Sequence, residues 1–213
     1  SSALLTVKGE TEAGIWVTSP TGEGGRKLAP YRYSILGDNL DWTPEGRIVY
    51  VSKASGDLEL WIMDADGSNQ HQLTVDKTVH ISPAVSPDGR TIVFARFPAD
   101  GLPNIWKMDA EGTGAKQLTT SQWALSPRFS PDGKWIVYAG VEAGKWVIRK
   151  AAVAGGSAVT LSDTFLVSGN PVVSPDGKLV AFWAMPGMPK PPETAIVPLE
   201  GGPPIKTLPI QGQ

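Results

Sequence analysis

Three features of this 213-residue chain predict an all-β fold, a β-propeller built of four-stranded antiparallel blades. The first is a turn written three times in full, as Ser86-Pro87-Asp88-Gly89, Ser130-Pro131-Asp132-Gly133 and Ser174-Pro175-Asp176-Gly177, with a looser copy at Thr43-Pro44-Glu45-Gly46. The prolines stand about 43 or 44 residues apart, the period of one propeller blade. The second is the apolar run that follows each turn, such as Ile48-Val49-Tyr50-Val51 or Ile92-Val93-Phe94-Ala95. Runs without polar alternation fit strands covered on both faces, as in blades stacked round an axis. The third is a second anchor in register with the first: a strand, a Gly turn, then a short strand closed by Leu.

Each unit reads as strands A to D. The Ser-Pro-Asp-Gly turn joins A to B: Pro sets φ, Asp caps the turn and Gly takes the left-handed conformation. The C strands are Ile15-Trp16-Val17, Leu60-Trp61-Ile62-Met63, Ile105-Trp106-Lys107-Met108, Trp146-Val147-Ile148 and Ala195-Ile196-Val197. The turn glycines that follow are Gly22, Gly67, Gly112, Gly155 and Gly202, and the closing leucines are Leu28, Leu73, Leu118, Leu161 and Leu208. The expected units are a partial blade over 1–30 and full blades over 37–74, 75–119, 120–162 and 163–209. The first unit has no A strand before Ala3, and no further turn follows the last. The expectation is therefore a segment, 1–213, of a six- or seven-bladed ring, with a five-bladed ring as the alternative.

Composition narrows the function classes. Gly (24) and Pro (19) are plentiful and no apolar stripe has helical period. A net charge of −2 with both signs interspersed gives no basis for nucleic-acid binding. No apolar run approaches the roughly 18 residues of a membrane span, so no membrane insertion is expected. Ser1-Ser2-Ala3-Leu4-Leu5 lacks the charged start of a targeting segment. The absence of Cys excludes disulfides and thiol chemistry.

At these repeats the chain resembles the Pro-Asp propellers of the TolB type, relatives of the WD-repeat propellers. Asp64-Ala65-Asp66-Gly67-Ser68-Asn69 followed by Gln72-Leu73-Thr74 is similar to that family's C-to-D hairpin. Leu199-Glu200-Gly201-Gly202-Pro203-Pro204 also resembles propellers of bacterial membrane-tethered Ser/Thr kinases. The resemblance implies a bacterial, extracytoplasmic module that binds a protein or peptide, or serves as a scaffold, and is not itself an enzyme.

Asp64-Ala65-Asp66-Gly67 opens like a calcium loop but lacks the terminal Glu, so it reads as a plain turn. His71 and His80 are the only imidazoles, and no Gly-x-Ser-x-Gly elbow exists to use them. Asp41 has no evident partner for two-carboxylate glycoside chemistry. No cofactor or metal is expected. The A–B and C–D turns, on one face of the disc, are monotonous, whereas the B–C and D–A loops on the other vary, as loops carrying function do. That second face is the expected binding surface. Its D–A connections bring Tyr31, Tyr33, His80, Trp123 and Phe165 near the axis, with Arg32, Lys77 and Arg128 adding charge. These rings either plug blade junctions or form a shared amphipathic surface. The last B–C loop, Ala184-Met185-Pro186-Gly187-Met188-Pro189-Lys190-Pro191-Pro192-Glu193, reads as stiff and extended, with Met185 and Met188 as adaptable apolar contacts. Two alternatives stay open: a sensory or gating propeller of a larger enzyme, and a propeller holding a sugar or small molecule. Unpaired blade edges also make self-association an expectation.

Overall fold

The computed structural model describes residues 4–8, 14–19, 21, 23–30 and 39–210. Among them there is no helix, and nineteen strands make five antiparallel sheets. The first sheet holds β1 (Leu4–Lys8), β2 (Gly14–Thr18) and β3 (Arg26–Pro30). The second holds β4 (Leu40–Trp42), β5 (Arg47–Ser52), β6 (Glu59–Asp64) and β7 (His71–Gln72), and the third β8 (Val79–Val85), β9 (Thr91–Phe97), β10 (Asn104–Asp109) and β11 (Lys116–Gln117). The fourth runs through β12 (Trp123–Phe129), β13 (Trp135–Glu142), β14 (Lys145–Ala152) and β15 (Val159–Ser162). The fifth comprises β16 (Val167–Val173), β17 (Leu179–Met185), β18 (Glu193–Pro198) and β19 (Lys206–Pro209). Four complete blades and one partial blade result, in the A-B-C-D order expected. The A strands β4, β8, β12 and β16 touch in succession, which places them innermost.

The continuous apolar B strands are explained by the cores. In β5, Ile48 and Tyr50 pack toward the first sheet with Ile15 and Met63, while Val49 and Val51 pack toward the third with Ile92 and Phe94. Side chains still alternate with period two, but both faces are covered, so every position is apolar. The same division recurs at β9 and β13. Each fully buried large side chain contributes about 1.5–3 kcal/mol of transfer free energy, and that burial exists only because a neighbouring blade supplies the other wall.

The two sequence anchors are the places where consecutive blades lock. In the three Ser-Pro-Asp-Gly turns Gly N–H closes on Ser C=O (Gly89 to Ser86, 2.8 Å), and the Ser hydroxyl donates to Asp (Ser86 Oγ to Asp88 Oδ1, 2.6 Å). The Ser oxygen in turn accepts from the B strand (Thr91 N–H, 2.9 Å). The same geometry holds at Ser130 and Ser174. Gly133 and Gly177 then rest near Pro87 and Pro131 of the preceding turn. In the C–D turns, Gly67 lies against Leu28 and Gly112 against Leu73 of the preceding blade. A Cβ on Gly112 would meet the Leu73 carbonyl oxygen at 2.6 Å. In the last blade the structure corrects the expectation. Gly201, not Gly202, closes the turn on Pro198 (2.9 Å) and approaches Leu161. Leu208 lies exposed on the outer strand β19, together with the neighbouring Ile205 and Ile210.

A polar β-bulge interrupts three A strands, between Ile81 and Ala84, Leu125 and Arg128, and Gly169 and Val172. Ser82, Ser126 and Asn170 sit there at positive φ, each followed by Pro. The bulges carry contacts from blade to blade: Asn39 Oδ1 accepts the Ser82 amide at 3.3 Å, and Ser126 Oγ donates to Asn170 Oδ1 at 3.1 Å.

Candidate functional site: the B–C and D–A loop face

The B–C and D–A loops share one face because A–B and C–D hairpins take the other. Tyr31, Arg32 and Tyr33, three of the expected site residues, lie outside the described residues. Trp123, at the start of β12, is half-buried and meets Phe97 edge-on, with ring centroids 6.2 Å apart. Met185 ends β17 and is half-buried. Met188 is 94% exposed at the tip of the last B–C loop. That loop is not extended throughout: Lys190 N–H bonds Gly187 C=O at 3.0 Å, closing a turn that lifts Met188 outward.

Three expected residues stand elsewhere. Phe165 is core, packed edge-on to Phe182 at 5.7 Å between the fourth and fifth sheets. Arg128 pairs in register with Val137, whereas Trp123 pairs with Val141. Five residues of strand at roughly 3.3 Å each put Arg128 near the opposite face, where its Nη1 donates to Pro127 C=O at 2.9 Å. His80 is buried, 1% exposed, and so presents no ring to a partner.

His80 instead centres a polar cluster between the second and third blades. Its Nδ1 lies 3.0 Å from Glu59 Oε2 and its Nε2 3.4 Å from Asp76 Oδ1. Glu59, also 1% exposed, accepts the Thr74 hydroxyl and, at 2.9 Å, the Lys77 amide. Asp76 accepts the Thr78 hydroxyl at 2.7 Å and Arg96 Nη2 at 2.7 Å. Arg96 also lies over the Trp106 ring, 4.4 Å from its centroid. Burial holds the His80 imidazole below its usual value, against the pull of Asp76 and Glu59. Burial alone would raise Asp76, yet the Thr78 bonds and the charges of His80 and Arg96 leave its carboxyl below the usual range. Sequence reading found His80 but missed Glu59, Asp76 and Arg96. The four come from a C strand, a D–A connection, an A strand and a B strand, with no motif spacing to link them.

The Asp64–Gly67 turn consumes its own carboxylates. Asn69 Nδ2 donates to Asp64 at 2.6 Å, Arg47 Nε to Asp64 at 3.2 Å, and the Ser68 amide to Asp66 at 2.9 Å. His71 is exposed on β7.

These features define a β-propeller whose repeats lock through Pro-Asp-Gly turns. The family model for the TolB β-propeller domain matches residues 33–197, and the chain belongs to that family. The chain is similar to the protein TolB homolog of Chlorobium chlorochromatii, at 43% identity over 51 residues, 24% of this chain and 12% of the relative. It is similar also to the Tol-Pal system protein TolB of Geobacter sulfurreducens, at 40% identity over 47 residues, 22% of this chain and 11% of the relative. The crystal structure of TolB from Acinetobacter baumannii shares the fold with a TM-score of 0.78 at 24% identity, over 90% of this chain and 48% of that one. The chain thus spans about half the length of that structure, and its curated matches cover about an eighth of theirs. These relatives are bacterial proteins. An oligogalacturonate lyase and a prolyl endopeptidase share the fold alone, at TM-scores of 0.62 and 0.58 and 15% and 17% identity.

Proposed function

We propose that this chain is a non-enzymatic interaction module, working outside the cytoplasm and holding a protein or peptide on its B–C/D–A loop face. The observation that carries the reading is where exposed apolar side chains emerge. Val75, Val79, Leu102, Leu166 and Met188 all lie in or beside the loops of this face. Among the described residues, the A–B hairpins carry no exposed large apolar side chain. Of the remaining ones, Val159, Val172 and Ile205 lie beside hairpins of the opposite face in the last two sheets, and Leu208 and Ile210 lie along or beside the outermost strand. Apolar groups more numerous at one end of a rigid scaffold, with Trp123 among them, suit a docking surface. Because curated relatives carry the name of a Tol-Pal system protein, the partner class we favour is a protein of that system.

A catalytic reading of the His80 cluster has less support. The Thr78 hydroxyl lies 3.4 Å from His80 Nε2, but it donates to Asp76 at 2.7 Å and accepts from Arg96 at 3.2 Å. A hydroxyl held twice beside a buried imidazole is no free nucleophile.

The test is a Trp123→Ala, Met188→Ser double variant titrated with a purified Tol-Pal protein of the same bacterium. Affinity should fall by about tenfold or more while the melting temperature stays within about 2 °C of the parent. Unchanged affinity would refute the assignment of the face.

A further inference from the structure

We infer that Glu59, Asp76 and His80 form a binding site for a divalent transition-metal ion of the zinc class. One atom from each lies within 4.8 Å of the other two, two of the three residues are buried, and Asp76 opens the site to solvent. An imidazole nitrogen with two carboxylate oxygens is a donor set that suits zinc, with the fourth position left on the exposed Asp76 side.

The fold supplies its own control. By strand register, Asn104 stands in the third blade where Glu59 stands in the second, and Ala124 stands where His80 does. In the second blade Thr74 Oγ accepts the Leu60 amide and donates to Glu59. In the third, Thr119 Oγ accepts the Ile105 amide at 3.0 Å and donates to Asn104 Oδ1 at 2.9 Å. A neutral Asn–Thr pair beside an Ala therefore does the structural work of this position. The Glu and His of the second and third blades are additions that the architecture does not require.

Those additions carry an unmet electrostatic demand. The buried Glu59 carboxylate receives a hydroxyl and an amide, and its basic neighbour is the buried His80 imidazole at 3.0 Å. His80 Nδ1 faces Glu59 Oε2 at 3.0 Å without hydrogen-bond geometry and has no hydrogen-bond partner, whereas Oε2 is held by the Thr74 hydroxyl. A buried polar nitrogen without a partner is costly, and an imidazole nitrogen so placed is ready to ligate. The carboxylates are also oriented from outside, Glu59 by Thr74 and Lys77 N–H, Asp76 by Thr78 and Arg96, as metal-bound carboxylates are. Arg96, 2.7 Å from Asp76 Oδ2, is a competing positive charge that weakens the site.

The experiment uses the whole chain, stripped with chelator and titrated with Zn²⁺ by calorimetry, with Co²⁺ absorption as the spectroscopic readout. One equivalent should bind, and Co²⁺ should give visible bands of low-coordinate nitrogen and oxygen ligation. Glu59→Asn with His80→Ala, which copies Asn104 of the third blade and Ala124 of the fourth, should fold and lose binding by at least tenfold. Arg96→Gln should tighten binding severalfold, which a purely structural clamp would not do. His71→Ala should leave it unchanged. Absence of stoichiometric binding would overturn the proposal, as would binding that survives the double change. Collapse of the metal-free double variant would overturn it too, by making the cluster a structural clamp.

Discussion

Replacing the turn glycine of the third blade by alanine separates two costs that the repeat combines. Gly112 has φ +82° and Gly46 has φ +83°, so both substitutions force alanine into the same left-handed backbone. That conformation costs about 1–2 kcal/mol. Nothing lies within 4 Å of a Cβ at Gly46, whereas at Gly112 the Cβ would come 2.6 Å from the Leu73 carbonyl oxygen of the preceding blade. A backbone oxygen cannot swing aside as a side-chain tip can, and crowding of this kind costs a further ~1–3 kcal/mol. Gains from a stiffer unfolded chain are common to both variants and cancel. Gly112→Ala should therefore melt below Gly46→Ala by roughly 4–8 °C if the difference is about 2 kcal/mol in a domain of this size. Differential scanning calorimetry of the parent and both variants measures it. Melting temperatures equal within about 1 °C would refute the claim that this turn locks one blade onto the next.

Other outcomes follow from the same geometry. Thr119→Val removes the hydroxyl that accepts the Ile105 amide and donates to Asn104, leaving buried groups unmet; a loss of about 1–3 kcal/mol in urea unfolding is expected. The Ser hydroxyls, then the amides of Arg90, Lys134 and Lys178, hold Asp88, Asp132 and Asp176 below the usual carboxylate range. Their contribution to stability is thus present above the unfolded value of about 4 and lost as pH falls through the lower folded values. An Asp88→Asn, Asp132→Asn, Asp176→Asn variant should show a shallower melting-temperature decline below about pH 4 than the parent. Phe165→Ala, at a buried ring packed on Phe182, should cost about 3–5 kcal/mol, while Met188→Ala should cost under about 0.5 kcal/mol. Chemical denaturation of both distinguishes core from surface.

What was legible in the sequence is what every blade must repeat. Ser-Pro-Asp-Gly recurs because the third, fourth and fifth blades each repeat the Ser–Asp bond, the left-handed Gly and its seat on the preceding proline. The closing leucines are legible where the next blade's turn glycine covers them, as Gly112 covers Leu73. Where two glycines adjoin, pattern alone selected Gly202 over Gly201; only the hydrogen bond to Pro198 decides. Site residues were harder because a ring type does not say which way it points. Phe165 and Trp123 both follow a D strand, yet one turns between sheets and the other remains at the loop face. Arg128 is five residues along its strand from Trp123, and a face is lost over that distance. The Glu59–Asp76–His80 cluster left no trace as a motif, since strand register and not spacing brings it together.

The central claim, that the variable loop face is the docking surface, is tested most directly by amide hydrogen exchange on the chain with and without a bound Tol-Pal partner protein. Protection is expected at residues 75–80, 97–104, 121–124 and 185–193, with the A–B hairpins at 43–47, 86–91, 130–135 and 174–179 unchanged. Protection confined to those hairpins would contradict it.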